Sequence, residues 1–307
     1  MIHVRRWDLS FDDDGRDGRI SGYAHCSLVD RSAGAVHTDL GLCRLEVGAE
    51  TPRHVHSYEQ CAYVVEGQPV VEHSGHRYRL EAGDYVLFPV GSPHAWSNSG
   101  GGPAAWLELA TPQPGWPAGR EDTFLLPPAG PGITTSATER EEVGRPSFGD
   151  PTLRFLGHYL GTDSQLAALA LPEPARGRAP IGMDTALLAY SGITVKMMVD
   201  PALGSELCTM FMVDYEPGGA AQVHDHPFEE AYFFVQGEIE GDIDGEVRTF
   251  RAGEVLFCGV GVVHGFFNTG NGHVRWIETQ APQPPRRHSY RWPAKWEGIK
   301  ARLANTS

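Results

Sequence analysis

The sequence predicts an all-β protein made of two copies of one domain, and three observations lead there. A shift of 170 positions lays residues 21–114 over 191–284 without a gap. The segments between the recurring glycines are short runs of β-branched and aromatic residues. Turn signals recur roughly every 8–12 residues, a spacing that suits a sandwich or a barrel.

The repeat is dense. Ser21-Gly22 matches Ser191-Gly192, Val29-Asp30 matches Val199-Asp200, and Gly34 matches Gly204. Gly48, His54, His56, Glu59, Gly67, Gly75, Gly83, Gly91, His94 and Asn98 all return 170 residues later. So do Trp106, Glu108 and the triplet Pro112-Gln113-Pro114. Glycines in register between β-rich runs mark tight turns that need positive φ.

AYVVEG (62–67), DYVLFPV (84–90), AYFFVQG (231–237) and EVLFCGV (254–260) read as strands. Helical patterns fall outside the repeats, around Asp163–Leu171 and Pro293–Leu303. The expected domains are therefore residues 1–114, a connection over 115–190, a second copy over 191–284 and an extension over 285–307. The connection is too long for a structureless loop. It is expected to wrap along a barrel with strands or short helices, and LRFLGHYLG (153–161) looks partly buried.

Composition narrows the function classes. Net charge is −14, and no basic cluster is longer than the pair Arg286-Arg287, which disfavours nucleic acid and anionic membranes as partners. No apolar run is long enough to span a bilayer. The opening MIHVRRWDLSFDDDG lacks the apolar core of a signal peptide and turns acidic at once, so a cytoplasmic location is the default expectation. Five scattered cysteines without a CxxC pair read as buried thiols in a reducing compartment.

The fourteen histidines acquire meaning through spacing. The second repeat reads Gly218-(x5)-His224-Asp225-His226-(x3)-Glu230-(x6)-Gly237, then Gly253-(x7)-Gly261-(x2)-His264-(x3)-Asn268. The first reads Gly48-(x5)-His54-Val55-His56-(x3)-Gln60-(x6)-Gly67, then Gly83-(x5)-Pro89-Val90-Gly91-(x2)-His94-(x3)-Asn98. On a strand, H-x-H puts both imidazoles on one face. A third group returns on the next strand and a further histidine arrives from a later hairpin. A lone H-x-H is more often surface or core histidine, but here two copies each carry a third histidine at a matched distance.

These motifs resemble the two motifs of the cupin superfamily, and the resemblance covers both repeats. It implies two cupin barrels (double-stranded β-helix, or jelly roll) in one chain, packed as an intramolecular pseudo-dimer. It also implies a divalent transition metal, Fe, Mn, Ni or Zn, on His224, His226, Glu230 and His264, with His54, His56, Gln60 and His94 at the other site. Gly259 stands where the motif usually has proline.

The two sites differ. Gln60 replaces the glutamate of site 1, and a neutral amide oxygen compensates less of a cation's charge. Site 1 then binds metal through three histidines with Gln60 as a weak ligand or a supporting donor, binds it only with an anionic substrate, or is empty; three-histidine sites occur among dioxygenases of the superfamily the chain resembles. Alternation turns Glu59 and Glu229 away from the sites. It turns Tyr232 and Phe234 inward in site 2, where core packing is the simplest role, and Ala62 and Val64 inward in site 1, which should be roomier. Trp96 and Phe266 are candidates for the mouths. Arg44, opposite Asp214 in the repeat, is a candidate carboxylate binder or an ordinary surface arginine.

Three function classes remain for a small-molecule substrate. A dioxygenase suits a histidine-rich site with open positions, and the layout resembles quercetinase-like and gentisate-dioxygenase-like enzymes. A non-redox hydrolase, isomerase or decarboxylase would use the metal as a Lewis acid; ureidoglycine aminohydrolase is a bicupin of similar size with a different ligand set. A non-catalytic binder would resemble seed-storage or sensor cupins. The pattern leaves room for a homo-oligomer.

Overall fold

A computed structural model describes residues 2–6, 20–73, 75–114, 122–130, 135–136, 155–159, 190–285 and 290–291. Among these, the chain is β throughout, with one 3-10 turn at Arg31–Ala33. Both helical candidates lie outside the described residues. No helix among the described residues is long and apolar enough to cross a membrane.

The first repeat forms two six-stranded sheets. One runs, edge to edge, through Leu156–His158, Asp84–Phe88, Glu59–Glu66, Ala104–Thr111, Asp39–Leu45 and Tyr23–Val29. The other runs through Thr123–Leu125, His54–His56, His94–Ser97, Val70–His73, His76–Arg79 and Thr135–Ser136. In the second repeat the two layers join into one nine-stranded sheet, because the strand Thr209–His224 continues from one layer into the other. Tight turns rest on the repeated glycines. A Cβ on Gly237, at φ 77°, would sit 2.7 Å from the His273 carbonyl oxygen.

Thr123–Leu125 and Leu156–His158 both add strands to the first barrel, and Leu156 and Tyr159 are buried. The N-terminus differs from the expected boundary. Ile2–Arg6, assigned by sequence to the first domain, pairs antiparallel with Glu254–Cys258 of the second barrel. Register set by backbone pairing leaves no local period by which the sequence could reveal it.

Strands with two buried faces explain the near-continuous apolar runs. Along Glu229–Gln236, Tyr232 and Phe234 enter the interior of the second barrel, while Ala231 and Phe233 enter a core shared by both repeats. Along Glu59–Glu66, Ala62 and Val64 face the first barrel's interior and Cys61 the shared core. The shared core joins Leu40, Leu42, Leu87 and Leu109 to Met210, Met212, Val255 and Ile277, so the repeats pack as a pseudo-dimer.

A reciprocal polar clasp crosses that core. The Glu229 carboxylate accepts hydrogen bonds from the backbone N–H groups of Val36 (2.6 Å), His37 (3.0 Å) and Thr38 (2.9 Å). Glu59 accepts from the N–H groups of Glu206 (3.0 Å) and Leu207 (3.2 Å), and from the Ser205 hydroxyl. Positions 36–37 and 206–207 are themselves repeat equivalents. Both carboxylates are buried, and charge-assisted bonds to backbone N–H are the strong kind. Glu229→Gln is expected to lower unfolding free energy by about 1–3 kcal/mol in urea titration, with unchanged metal content. A loss under about 0.5 kcal/mol would contradict a role in holding the barrels together.

Candidate metal centres

Each repeat gathers three histidines at its barrel mouth. His54, His56 and His94 bring ligating atoms within 4.8 Å of one another, as do His224, His226 and His264. Ring centroids in the first triad stand 4.7, 4.3 and 5.1 Å apart, and in the second 4.7, 4.6 and 5.2 Å. The cause is strand pairing. The first histidine of H-x-H lies directly opposite the third in both repeats, His54 against His94 and His224 against His264.

Hydrogen bonds orient the rings. Nδ1 lies against a carbonyl oxygen in His54 (Pro52, 2.6 Å), His94 (Ser92, 3.0 Å), His224 (Gln222, 2.6 Å) and His264 (Val262, 3.0 Å). Nδ1–H donates to that oxygen and leaves the Nε2 lone pair for the centre, the usual second support of a ligating imidazole. Asn98 and Asn268 have a structural task. Each Nδ2 donates to carbonyls on two segments, Leu45 and Gly102 or Glu216 and Gly272, and holds the turn after the third histidine.

At site 2, Glu230 stands among the rings, 3.4 Å from His226 Nε2 and 3.1 Å from His264 Nε2. Tyr232 donates its hydroxyl to Glu230 at 2.7 Å and approaches His264 Nε2 at 2.9 Å, while Gln280 Nε2 donates to the other Glu230 oxygen at 2.8 Å. Burial opposes ionising Glu230, yet His226 and His264 hold it well below the usual carboxylate range. Burial alone would lower His264, but Glu230 raises it; His224 is held well below its ordinary value by burial and the neighbouring imidazoles. The donor set of three imidazoles and one carboxylate fits a divalent first-row ion.

Site 1 keeps the histidines and loses the supports. Gln60 occupies the Glu230 position, while Ala62 and Ala110 replace Tyr232 and Gln280. Gln60 Oε1 and His94 Nε2 are buried with no hydrogen-bond partner. Buried acceptors rarely go unsatisfied, and a cation among them would satisfy both. Site 1 therefore also fits an ion, with less compensating charge.

Site 2 opens into a cavity of about 270 Å³ whose walls include Phe211, Tyr232, Phe266, Trp276 and Glu278. A single substituted ring fits that volume, since an engineered cavity of about 150 Å³ holds benzene. Two residues that the motif reading did not single out for the site stand here. Glu278 accepts from Trp276 Nε1 at 3.0 Å, and burial with the nearby Glu230 charge pushes its carboxyl well above the usual range. Tyr290 lies over His226 (centroids 4.6 Å), held by the paired backbone and bidentate ion pair of Arg291 with Asp225. The recurrence of Trp-x-Glu at 106–108 and 276–278 was the available signal for Glu278; Tyr290 had none. Phe266 lines the cavity as expected. Trp96 instead stacks on Trp106 (4.3 Å) in the first barrel's core. Arg44 pairs with Glu46 at 2.8 Å, the ordinary surface outcome.

Asp39, on the first barrel's Asp39–Leu45 strand, is pushed up to about 7 by burial and by the Asp30 and Glu108 carboxylates. Its folded pKa lies above its ordinary 3.8. Its contribution is thus complete below that value and lost as pH rises through about 7. In metal-free protein, Asp39→Asn should gain on the wild type from about pH 4 to about pH 8, by up to about 4 kcal/mol before solvent screening. A pH-independent difference in urea midpoints would refute the assignment.

Comparison with known proteins places these features. The family model for the cupin domain matches residues 41–110 and 211–279, once in each barrel. The fold is similar to the salicylate 1,2-dioxygenase of Pseudaminobacter salicylatoxidans, with TM-score 0.66 and 15% identity over 92% of this chain and 84% of that one. It is also similar to Bacillus subtilis oxalate decarboxylase, with TM-score 0.56 and 18% identity over 92% and 79%. A stretch of 91 residues is 28% identical to polyketide synthase CurC of Streptomyces cyaneus, spanning 29% of this chain and 59% of that protein.

Proposed function

We propose that this chain, which belongs to the cupin superfamily and carries two of its domains, is a metal-dependent dioxygenase acting on a small aromatic or enolisable substrate at site 2. The observation that carries the reading is a full His224, His226, Glu230, His264 donor set opening into an apolar cavity of ring size. A divalent transition-metal ion bound there supplies Lewis-acid and redox chemistry. The fold shared with a protein named for dioxygenation of salicylate supports the same class.

The chain's own residues have separable tasks. Glu230 holds a negative charge at the centre, and Gln280 and Tyr232 fix its two oxygens. Phe211, Phe266 and Trp276 keep bulk water from the substrate face. Tyr290 stands edge-on to His226 and lines the same cavity. Glu278, protonated in the cavity wall, can donate a hydrogen bond to a substrate oxygen.

Glu278 also favours a second reading. A protonated carboxyl facing the cavity is a general acid for non-redox chemistry such as decarboxylation. Turnover without oxygen separates the two: the dioxygenase reading expects loss of product under anaerobic conditions with stoichiometric oxygen uptake in air. Full anaerobic turnover would replace it with the non-redox one.

His226→Ala is expected to remove about one equivalent of tightly bound metal by elemental analysis, since loss of a direct ligand takes most of a site's affinity. Unchanged metal content would remove site 2 from the proposal. Gln60→Glu should raise metal occupancy at site 1, because a carboxylate compensates the ion's charge. Two equivalents of equal affinity in the wild type would show that Gln60 does not weaken that site.

A further inference from the structure

We infer that the first barrel holds a second, thiolate-containing cation site, formed by His25, Cys43 and Glu108 and suited to a thiophilic divalent ion such as Zn2+. The three donors come from three adjacent strands, Tyr23–Val29, Asp39–Leu45 and Ala104–Thr111. Register places them on one face: His25 lies opposite Cys43, Cys43 opposite Trp106, and Glu108 two residues beyond Trp106 on the same side. Their ligating atoms all lie within 4.8 Å of one another.

The local sequence makes room for the cluster. Gly41 lies opposite Glu108, and a Cβ there would collide with His25 Nε2. A glycine is thus required for the imidazole to lie across the strand toward the carboxylate. The second repeat shows the same wall without the device. Val195, Phe211 and Val213 stand where the first repeat has His25, Gly41 and Cys43, and only the glutamate is kept, as Glu278. Two donors and the space between them therefore differ together, which ordinary packing of an apolar barrel does not call for.

Charge points the same way. Imidazole, thiolate and carboxylate neutralise a divalent ion, which the His54, His56, His94 and Gln60 set does not. Cys43 Sγ donates to Glu108 Oε2 at 3.3 Å, Trp106 Nε1 donates to the same oxygen at 3.1 Å, and the Tyr23 hydroxyl lies 3.3 Å from Cys43 Sγ. On metal binding the Cys43 proton leaves to solvent, and the Tyr23 hydroxyl remains as a donor to the thiolate. Three protein ligands leave a fourth position open.

Cobalt reads this site apart from the histidine sites, because only thiolate ligation gives a sulfur-to-cobalt charge-transfer band. Full-length protein stripped with chelator and titrated with Co2+ should develop that band, and Cys43→Val, the residue the second repeat carries, should abolish it. His226→Ala should leave it unchanged, so failure of the site 2 reading and failure of this one are distinct results. Zn2+ content should fall by about one equivalent in Cys43→Val. If that variant does not fold by circular dichroism, His25→Val reads the same band, which should weaken by at least half. No band in the wild type, or a band that survives Cys43→Val or is untouched by His25→Val, would overturn the site.

Discussion

A strand buried on both faces must satisfy two sets of neighbours with one alternating sequence, and the strand Glu229–Gln236 does so with adjacent carboxylates. Glu229 turns to the shared core and ties down residues 36–38 of the other barrel. Glu230 turns the opposite way, among the site 2 histidines. Slipping the strand by one residue would turn Tyr232 and Phe234 into the shared core and Ala231 and Phe233 into the barrel interior, and would carry both carboxylates away from their partners. The register that joins the barrels is therefore also the register that builds the site. The apolar pairs Ala231 and Phe233 against Tyr232 and Phe234 hold it from both sides.

The same strand in the first repeat keeps one half of the arrangement. Glu59 clasps residues 205–207 as its counterpart clasps the first barrel, but Gln60 has replaced the inward carboxylate. Its two hydrogen-bond supports have gone with it, as Ala62 and Ala110. Substituting the carboxylate alone would have set an NH2 group against one of those two donors, the tyrosine hydroxyl or the amide, at a cost of about 1–3 kcal/mol if buried. The changes form a consistent set, and they give the first barrel a different interior. It is smaller-residued near the histidines and carries His25 and Cys43 along the wall, where the second barrel has Val195 and Val213.

Local periodicity explains what the sequence made legible. The glycine turns and the spacing of His, His, Glu and His are short-range signals, the offset of 170 repeats them, and the structure brings each of those histidine sets together. Alternation also placed Glu59, Glu229, Tyr232 and Phe234 on the correct faces. What stayed hidden depends on contacts between distant segments. Ile2–Arg6 gives no sign that its partner is Glu254–Cys258, and Tyr290 reaches His226 only because Arg291 pairs with Asp225. Trp96 was misjudged because alternation gives the face of a strand and not the depth along it; at that depth Trp106 covers it.

Glu278 shows how the wall and the centre act on each other. Burial and the nearby Glu230 charge push its carboxyl well above the usual carboxylate range. Gln280 lies between them, donating to Glu230 at 2.8 Å and approaching Glu278 at 3.4 Å. A cation drawing charge from Glu230 would weaken that repulsion, so the proton on Glu278 is tied to the state of the centre without direct ligation. The apolar remainder of the wall excludes competing water, which is why one buried acid can matter in a cavity of this size.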